Sequence, residues 1–138
     1  MAAAAPALAQ ECRLGAGGLS FGAYDFTSPA PLDSTGSIQV SCPRGLQFRV
    51  RMDAGRNSAL AFSPRYMLLA GGSARISYNV YIDSSRSLVW GDGAYGTTVF
   101  SGVGIGVPVP ITVFGRIFAG QAVPPGVYQD RVTLTVEW

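Results

Sequence analysis

The sequence contains no histidine and no lysine, so all ten of its basic residues are arginine. A serine–histidine–aspartate triad and a serine–lysine pair are therefore both excluded, and the most common general base and metal ligand is missing. Charged residues make up only 13% of the chain, and ten positive against eight negative side chains leave a formal net charge of +2. This charge is too small to indicate a nucleic-acid partner or an anionic membrane surface.

Long apolar runs are lacking as well. The longest candidate, residues 99–118, is interrupted by glycines, by two prolines and by Arg116, whereas a membrane-spanning helix needs about 20 predominantly apolar residues. Apolar residues nevertheless form 48% of the 138 residues, beside 18 glycines and nine prolines. This composition excludes a disordered chain and a coiled coil, and the length suits one domain with a single core.

Cysteine is scarce, with only Cys12 and Cys42 present. Two thiols without histidine cannot complete a zinc site, and their spacing is not that of a C-x-x-C redox pair, which leaves a structural disulfide or two buried thiols. Residues 1–10 read MAAAAPALAQ, and a small-x-small pattern precedes a possible signal-peptidase cut after Ala9. We therefore predict a signal-peptide remnant or alanine-rich leader over residues 1–9, a domain over 10–138, and export, which favours the disulfide.

Strict alternation of apolar and polar residues is the dominant pattern. It covers residues 37–42, 46–52, 76–82, 107–113 and 132–138, and glycine- and proline-rich turns separate these segments. Alternation of period two is typical of half-buried strands in antiparallel sheets, so the sequence predicts a single all-β sandwich or barrel. The clearest inward-facing sets are Ile38, Val40 and Cys42; Leu46, Phe48, Val50 and Met52; Ile76, Tyr78, Val80 and Ile82; and Val132, Leu134, Val136 and Trp138.

Two details concern sheet edges. Pro108 and Pro110 remove two N–H donors from one segment, so this strand should lack a full ladder on at least one side. The last segment is still alternating at Trp138, with no closing strand after it, which predicts an unpaired edge and an uncovered part of the core. Residues 58–69 are predicted to form a loop or a short irregular strand.

No group of residues indicates catalysis, and the sequence predicts no cofactor and no metal site. The G-x-G-x-G of residues 102–106 is followed by Val107-Pro108-Val109-Pro110, which cannot form the helix of a nucleotide-binding loop, so a hairpin connection is predicted. The acidic residues mostly lie in or beside turns, where aspartate commonly initiates the turn. None stands in a motif that would indicate the paired catalytic carboxylates of a glycosidase. Trp90, Tyr95 and Phe100 are candidates for contact with a surface, and packing beneath a long loop is the alternative.

Several segments in order along the chain resemble the spore coat protein U domain family, which includes subunits of archaic chaperone–usher pili. The resemblance rests on the combination of these segments and not on any one of them. The segments are residues 19–24 (LSFGAY), 36–42 (GSIQVSC), 76–83 (ISYNVYID), 113–117 (VFGRI) and 126–136 (GVYQDRVTLTV).

The resemblance implies an incomplete immunoglobulin-like β-sandwich that lacks its final strand. A periplasmic chaperone, and then the N-terminal strand of a neighbouring pilus subunit delivered at an outer-membrane usher, would complete it by strand addition. The expected location is the periplasm in transit and then a surface pilus, or the extracellular space. The resemblance also implies a disulfide between Cys12 and Cys42 that joins the first two strands. It places Val132, Leu134, Val136 and Trp138 along the donor-strand groove, with Ile38, Val40, Val109 and Ile111 near it.

One departure from the family concerns the donor strand. After the predicted cut only Gln10 and Glu11 precede Cys12, so the subunit is expected to accept a strand without giving one, as at a pilus tip that contacts an abiotic or host surface. Two alternatives remain. One is a secreted coat or matrix protein that self-associates through its open sheet edge, and the other is a secreted carbohydrate-binding or hydrolytic β-sandwich.

Overall fold

The computed structural model describes residues 11–15, 17–58 and 62–138, and within these ranges it contains nine strands and no helix. The predicted leader over residues 1–9 lies outside the described residues. No described helix is long and apolar enough to cross a membrane. The strands are β1 (Arg13–Leu14), β2 (Leu32–Ser41), β3 (Gln47–Met52), β4 (Arg65–Leu69), β5 (Arg75–Tyr81), β6 (Phe100–Val103), β7 (Val109–Ile117), β8 (Tyr128–Gln129) and β9 (Leu134–Glu137).

The strands form two antiparallel sheets that enclose one core. The larger sheet has the order β1-β2-β7-β5-β4-β8 and the smaller has the order β6-β3-β9. Alternate residues of β2 and β3 point inward, as predicted, because each of these strands has one face on the core and one in solvent. The core therefore draws on both sheets, with Ile38, Val40, Phe48, Val50, Met52, Ile76, Tyr78, Val80, Ile111, Val113 and Ile117 among its buried members.

The two prolines have the predicted effect on β7. This strand pairs with β2 along its whole length, from Val109 to Ile117, but its ladder with β5 covers only Phe114 to Ile117. The first half of β7 thus pairs on one side only among the described strands. Pro108 and Pro110 have no N–H group to donate, and no second ladder is present here that would need one. The segment predicted as a loop or a short irregular strand, residues 58–69, contains the five-residue strand β4.

The prediction of a hairpin at residues 102–106 is wrong. The segment leaves β6 in the smaller sheet and enters β7 in the larger one, so it crosses between sheets instead of turning within one. Gly104 lies so close to Cys42 and the Pro43 carbonyl that a Cβ atom would clash. Its N–H donates to the Leu46 carbonyl at 2.8 Å. Glycine is required here because the crossing backbone packs directly on the turn after β2.

The two cysteines form a disulfide, Cys12–Cys42. Cys12 directly precedes β1 and Cys42 directly follows β2, so the bridge joins the ends of the first two paired strands. Both residues are buried. The prediction of a disulfide is confirmed, and the bridge fixes the edge strand β1, which has only two residues in its ladder.

Candidate functional site

A groove of about 400 Å³ lies between two backbone segments, residues 17–22 and residues 127–134. The first segment runs along the edge of the larger sheet, and the second leads from β8 into β9 of the smaller sheet. The groove thus opens where the two sheets are not joined. Its floor consists of side chains from the strands beneath: Ile38, Met52, Met67, Tyr78, Val80 and Val113.

The first wall is held against β2 by hydrogen bonds. Gly15 N–H donates to the Gln39 carbonyl at 2.7 Å, and Gly18 N–H donates to the Ser37 carbonyl at 3.3 Å. Gly36 allows the close approach, because a Cβ atom at this position would overlap the Gly18 carbonyl. The small residues of this wall bring its backbone close to β2 and leave its other edge turned away from the sheet.

The second wall is held from its far side. The Val127 carbonyl accepts from Ala70 N–H at 2.9 Å, and the Arg131 carbonyl accepts from Arg56 N–H at 3.0 Å. Beyond them, Leu134 is the register partner of Met52, where β9 pairs with β3. These bonds leave the backbone edge that faces the groove without a partner strand, because β9 is the outermost strand of its sheet.

The two walls meet at one end only. Tyr24 N–H donates to the Gly126 carbonyl at 2.9 Å, and the Tyr24 hydroxyl donates to the Phe118 carbonyl at 2.9 Å. Within the described ranges, no backbone hydrogen bond joins residues 17–22 to residues 127–134. The arrangement is therefore two strand edges that flank an apolar floor, which is the geometry of a site for an added β-strand.

A polar pair reinforces the second wall. The Tyr78 hydroxyl donates a short hydrogen bond to Oδ2 of Asp130, whose Oδ1 accepts from Arg56 N–H at 3.1 Å and from Asn57 Nδ2 at 2.9 Å. Burial, together with the neighbouring Asp130 carboxylate, raises the pKa of the Tyr78 phenol above its usual range. Tyr78 is therefore a neutral donor. Its hydrogen bond to Asp130 attaches the second wall to the floor of the groove.

The residues predicted for the groove are only partly brought together. Ile38, Val132 and Leu134 line it. Val40 and Ile111 are buried in the core without lining the groove, and Val109 and Val136 are half-buried. Trp138 is 58% exposed and lies at a separate depression beside Leu46 and Val103.

Neither the glycine-containing wall nor the floor residues Met67 and Tyr78 were predicted from the sequence as parts of a groove. Tyr78 belongs to an alternating segment and could have been assigned to the floor from that pattern. Residues 17–22 carry no alternation, and nothing in their composition indicates a groove wall.

Of the three aromatic residues proposed for surface contact, Trp90 is a wrong prediction. It is fully buried, and its Nε1 donates to the Val50 carbonyl at 2.9 Å, so the indole ring belongs to the core. Phe100 is half-buried between the rings of Phe48 and Trp90. Tyr95 is 90% exposed and remains a candidate.

The comparisons with known proteins identify both a family and a fold. The model of the Spore Coat Protein U domain matches residues 1–135. Protein U of Myxococcus xanthus is 34% identical over 131 residues, which cover 88% of this chain and 72% of that protein.

A solved structure shares the fold. It is the chaperone–tip adhesion subunit pre-assembly complex from the archaic chaperone–usher Csu pili of Acinetobacter baumannii, in which one chain matches with a TM-score of 0.61 at 24% identity. The match covers 93% of this chain and 40% of that chain. The predicted all-β, immunoglobulin-like class is confirmed.

Proposed function

The chain belongs to the Spore Coat Protein U domain family, and from this premise we propose that it is a non-catalytic, exported pilus subunit whose groove accepts a β-strand from a partner protein. The observation that carries the proposal is the groove itself. Two backbone edges without a shared ladder flank a floor of core side chains. An inserted strand would pair with both edges and cover that floor.

The dimensions suit a short strand. The first wall spans residues 17–22, and six extended residues measure about 20 Å. Half of the side chains of a strand point to one face, so three or four apolar side chains of the partner would enter the groove. Burial of that many large side chains contributes about 5–10 kcal/mol before the entropy of association is subtracted.

The partners follow from the proposed assembly. A periplasmic chaperone would occupy the groove first, and the strand of a neighbouring subunit would replace it at an outer-membrane usher. The structural similarity to a chain from a chaperone–subunit complex supports the first of these steps. The buried disulfide is compatible with the oxidising periplasm that this route crosses, and the protein would end in a surface pilus.

The test is the binding of a strand peptide to the full chain. A labelled peptide with alternating apolar residues, taken from a candidate partner subunit, is titrated in a fluorescence-anisotropy experiment. A second peptide, with its apolar residues moved by one position, is the register control, because the shift turns every apolar side chain out of the groove. We expect binding of the first peptide only.

A matched pair of variants locates the binding site. Val127→Glu places a carboxylate on the groove wall, at a residue that is 48% exposed. Val107→Glu places a carboxylate outside the groove, at a residue that is similarly exposed, at 55%. Only Val127→Glu should weaken peptide binding, since strand insertion would bury its charge. Equal binding by the two variants, or binding of both peptides, would contradict the proposal.

The second candidate function is self-association in a coat or matrix. It is favoured by β6, an outer strand of the smaller sheet, which ends at the exposed Val103 and is followed by the exposed Ile105 and Val107. Light scattering of the purified full chain separates the two functions. Filaments or dimers that form without any partner, and that Val107→Glu abolishes, would support the coat function.

A further inference from the structure

A second cavity, of about 710 Å³, lies on the opposite face of β9 from the groove. Side chains of β9 and of the two residues before it alternate between the two sites: Val132 and Leu134 line the groove, whereas Thr133 and Thr135 line this cavity. Arg51 is the register partner of Thr135 and shares its face of the sheet. The cavity floor is therefore the polar outer face of the smaller sheet.

Two aromatic residues and several polar groups surround this floor. Phe62 and Tyr95 supply rings, and Asp53, Ser63 and Asp92 supply oxygen atoms. Asp92 uses Oδ1 to accept the Ala94 N–H at 2.9 Å. Among the described residues, no hydrogen bond involves Oδ2 of Asp92 or the hydroxyls of Thr133, Thr135 and Tyr95. The cavity thus combines apolar surfaces with unused donors and acceptors, as small-ligand sites do.

The backbone at Tyr95 is held in a defined turn, and the side chain is 90% exposed. Its φ of 54° lies in the left-handed region, which is unusual for a tyrosine, and the neighbouring Gly96 has a φ of 77°. The buried Thr97 fixes this loop, because its hydroxyl donates to the Ala94 carbonyl at 2.6 Å and accepts from Gly93 N–H at 3.1 Å. A rigid loop that presents an aromatic ring lowers the entropy cost of ligand binding.

The charges around the cavity select among ligands. Asp53 and Asp92 are negative, and the one guanidinium, that of Arg51, lies with Nε 3.2 Å from Oε1 of Glu137. A sulfated or uronic-acid ligand would meet two carboxylates and a cation whose charge the nearby Glu137 carboxylate offsets. A neutral ligand with many hydroxyls would instead pair with the free hydroxyl and carboxylate oxygens, while its C–H face packs on Tyr95.

We propose that this cavity, walled by Tyr95 and Phe62 and floored by Arg51, Thr133 and Thr135, binds a neutral saccharide. The site differs from the strand groove in its chemistry and shares only Met52 with it. Saccharide binding at this site would provide a role for the exposed Tyr95 and would let a pilus subunit attach to a glycan-bearing surface. No catalytic step is involved.

The test is affinity electrophoresis of the full chain through gels that contain mannan, β-glucan or arabinogalactan, with heparin as the anionic comparison. We expect at least one neutral polysaccharide to retard the protein and heparin to have no effect. Tyr95→Ala should weaken binding by about tenfold or more, as for an aromatic anchor. Thr135→Val, which keeps the side-chain shape, should weaken it by a smaller factor.

The control variant is Trp138→Ala, which removes an exposed aromatic ring outside the cavity and should bind as the parent does. Circular dichroism verifies that each variant is folded. Absence of retardation by all three neutral polysaccharides, retardation by heparin alone, or an unchanged affinity of Tyr95→Ala would each overturn the proposal. Tyr95-dependent adsorption to polystyrene without saccharide binding would overturn it as well. Binding of the strand peptide to Tyr95→Ala should be unaffected, so failure here is distinct from failure of the groove.

Discussion

Arg65 donates a 2.9 Å hydrogen bond from Nη1 to Oδ1 of Asn79, and both side chains are buried. The same guanidinium donates from Nε and Nη2 to the carbonyl of Asp53 and from Nη2 to that of Trp90. Uncharged oxygens thus surround the cation, and burial lowers the pKa of Arg65. Arg65 and Asn79 belong to the larger sheet, whereas Asp53 follows a strand of the smaller one, so these hydrogen bonds tie the two sheets together.

Replacement of this cation should destabilise the fold. Arg65→Lys keeps the charge but lacks the planar fork of donors, so it leaves buried carbonyls without partners, and we expect a loss of about 2–4 kcal/mol in the free energy of unfolding. Urea unfolding followed by circular dichroism measures it. The control is Arg75→Lys, because Arg75 is exposed and lies over the ring of Tyr66 on the neighbouring strand. Equal urea midpoints for the two variants would argue against a bridging role for Arg65.

Stability should fall in alkaline solution. The pKa of Tyr78 is raised in the folded protein from its ordinary value of 10.0, mainly by burial, so the unfolded chain loses this proton first. The stabilisation is complete below about pH 10 and decreases above it, by up to about 1.4 kcal/mol per pH unit for one proton.

Tyr78→Phe isolates this contribution. It should reduce the slope of stability against pH above 10 by about one proton. The measurement is urea unfolding between pH 8 and 11. The same slope for the parent and Tyr78→Phe would refute the assignment of the proton.

Loss of the disulfide should lower stability without changing the sheets. Cys12 and Cys42 are 30 residues apart, and a loop of this size corresponds to about 3–4 kcal/mol of restricted entropy in the unfolded chain. We expect the double variant Cys12→Ser/Cys42→Ser to unfold at a lower temperature by calorimetry, and a reductant to have this effect on the parent only. A reductant that lowers the unfolding temperature of both proteins equally would contradict this account.

Two glycines that face each other should respond differently to alanine. Gly36→Ala places a Cβ atom against the Gly18 carbonyl, whereas Gly18→Ala meets nothing within contact distance. The first variant should push the groove wall away from β2 and weaken binding of the strand peptide. Gly18→Ala should leave the wall in its place against β2. Amide hydrogen exchange of the wall residues reports the displacement directly, and equal protection in the two variants would show that the close approach is unimportant.

Alternation explains why much of the fold was predictable from the sequence. The inward residues of β2 and β3, such as Val40 and Val50, are buried because each of these strands faces the core on one side. Pro108 and Pro110, just before and within β7, similarly indicated the gap in its ladder, since proline cannot donate a hydrogen bond. These features depend on local backbone chemistry, which a sequence carries directly.

The features that escaped prediction depend on contacts distant in sequence. Arg65 is buried because Asp53 and Trp90 direct their carbonyls towards it, and no local pattern reveals that arrangement. Trp90 looked like a loop residue, although its indole reaches the Val50 carbonyl. The groove wall is formed by glycines whose role appears only when β2 lies beside them. For the same reason the crossing between β6 and β7 was mistaken for a hairpin.

The pairing of β2 with β7 has a consequence for the order of folding. Ser37 is the register partner of Thr112, so β2 has no neighbour on that side until most of the chain has been synthesised. Sheets built from such distant partners fold slowly, because a long loop must close before the ladder forms. During that delay the edge of β2 and its apolar face are open to aggregation. Folding of this chain is therefore expected to be limited by the arrival of β7.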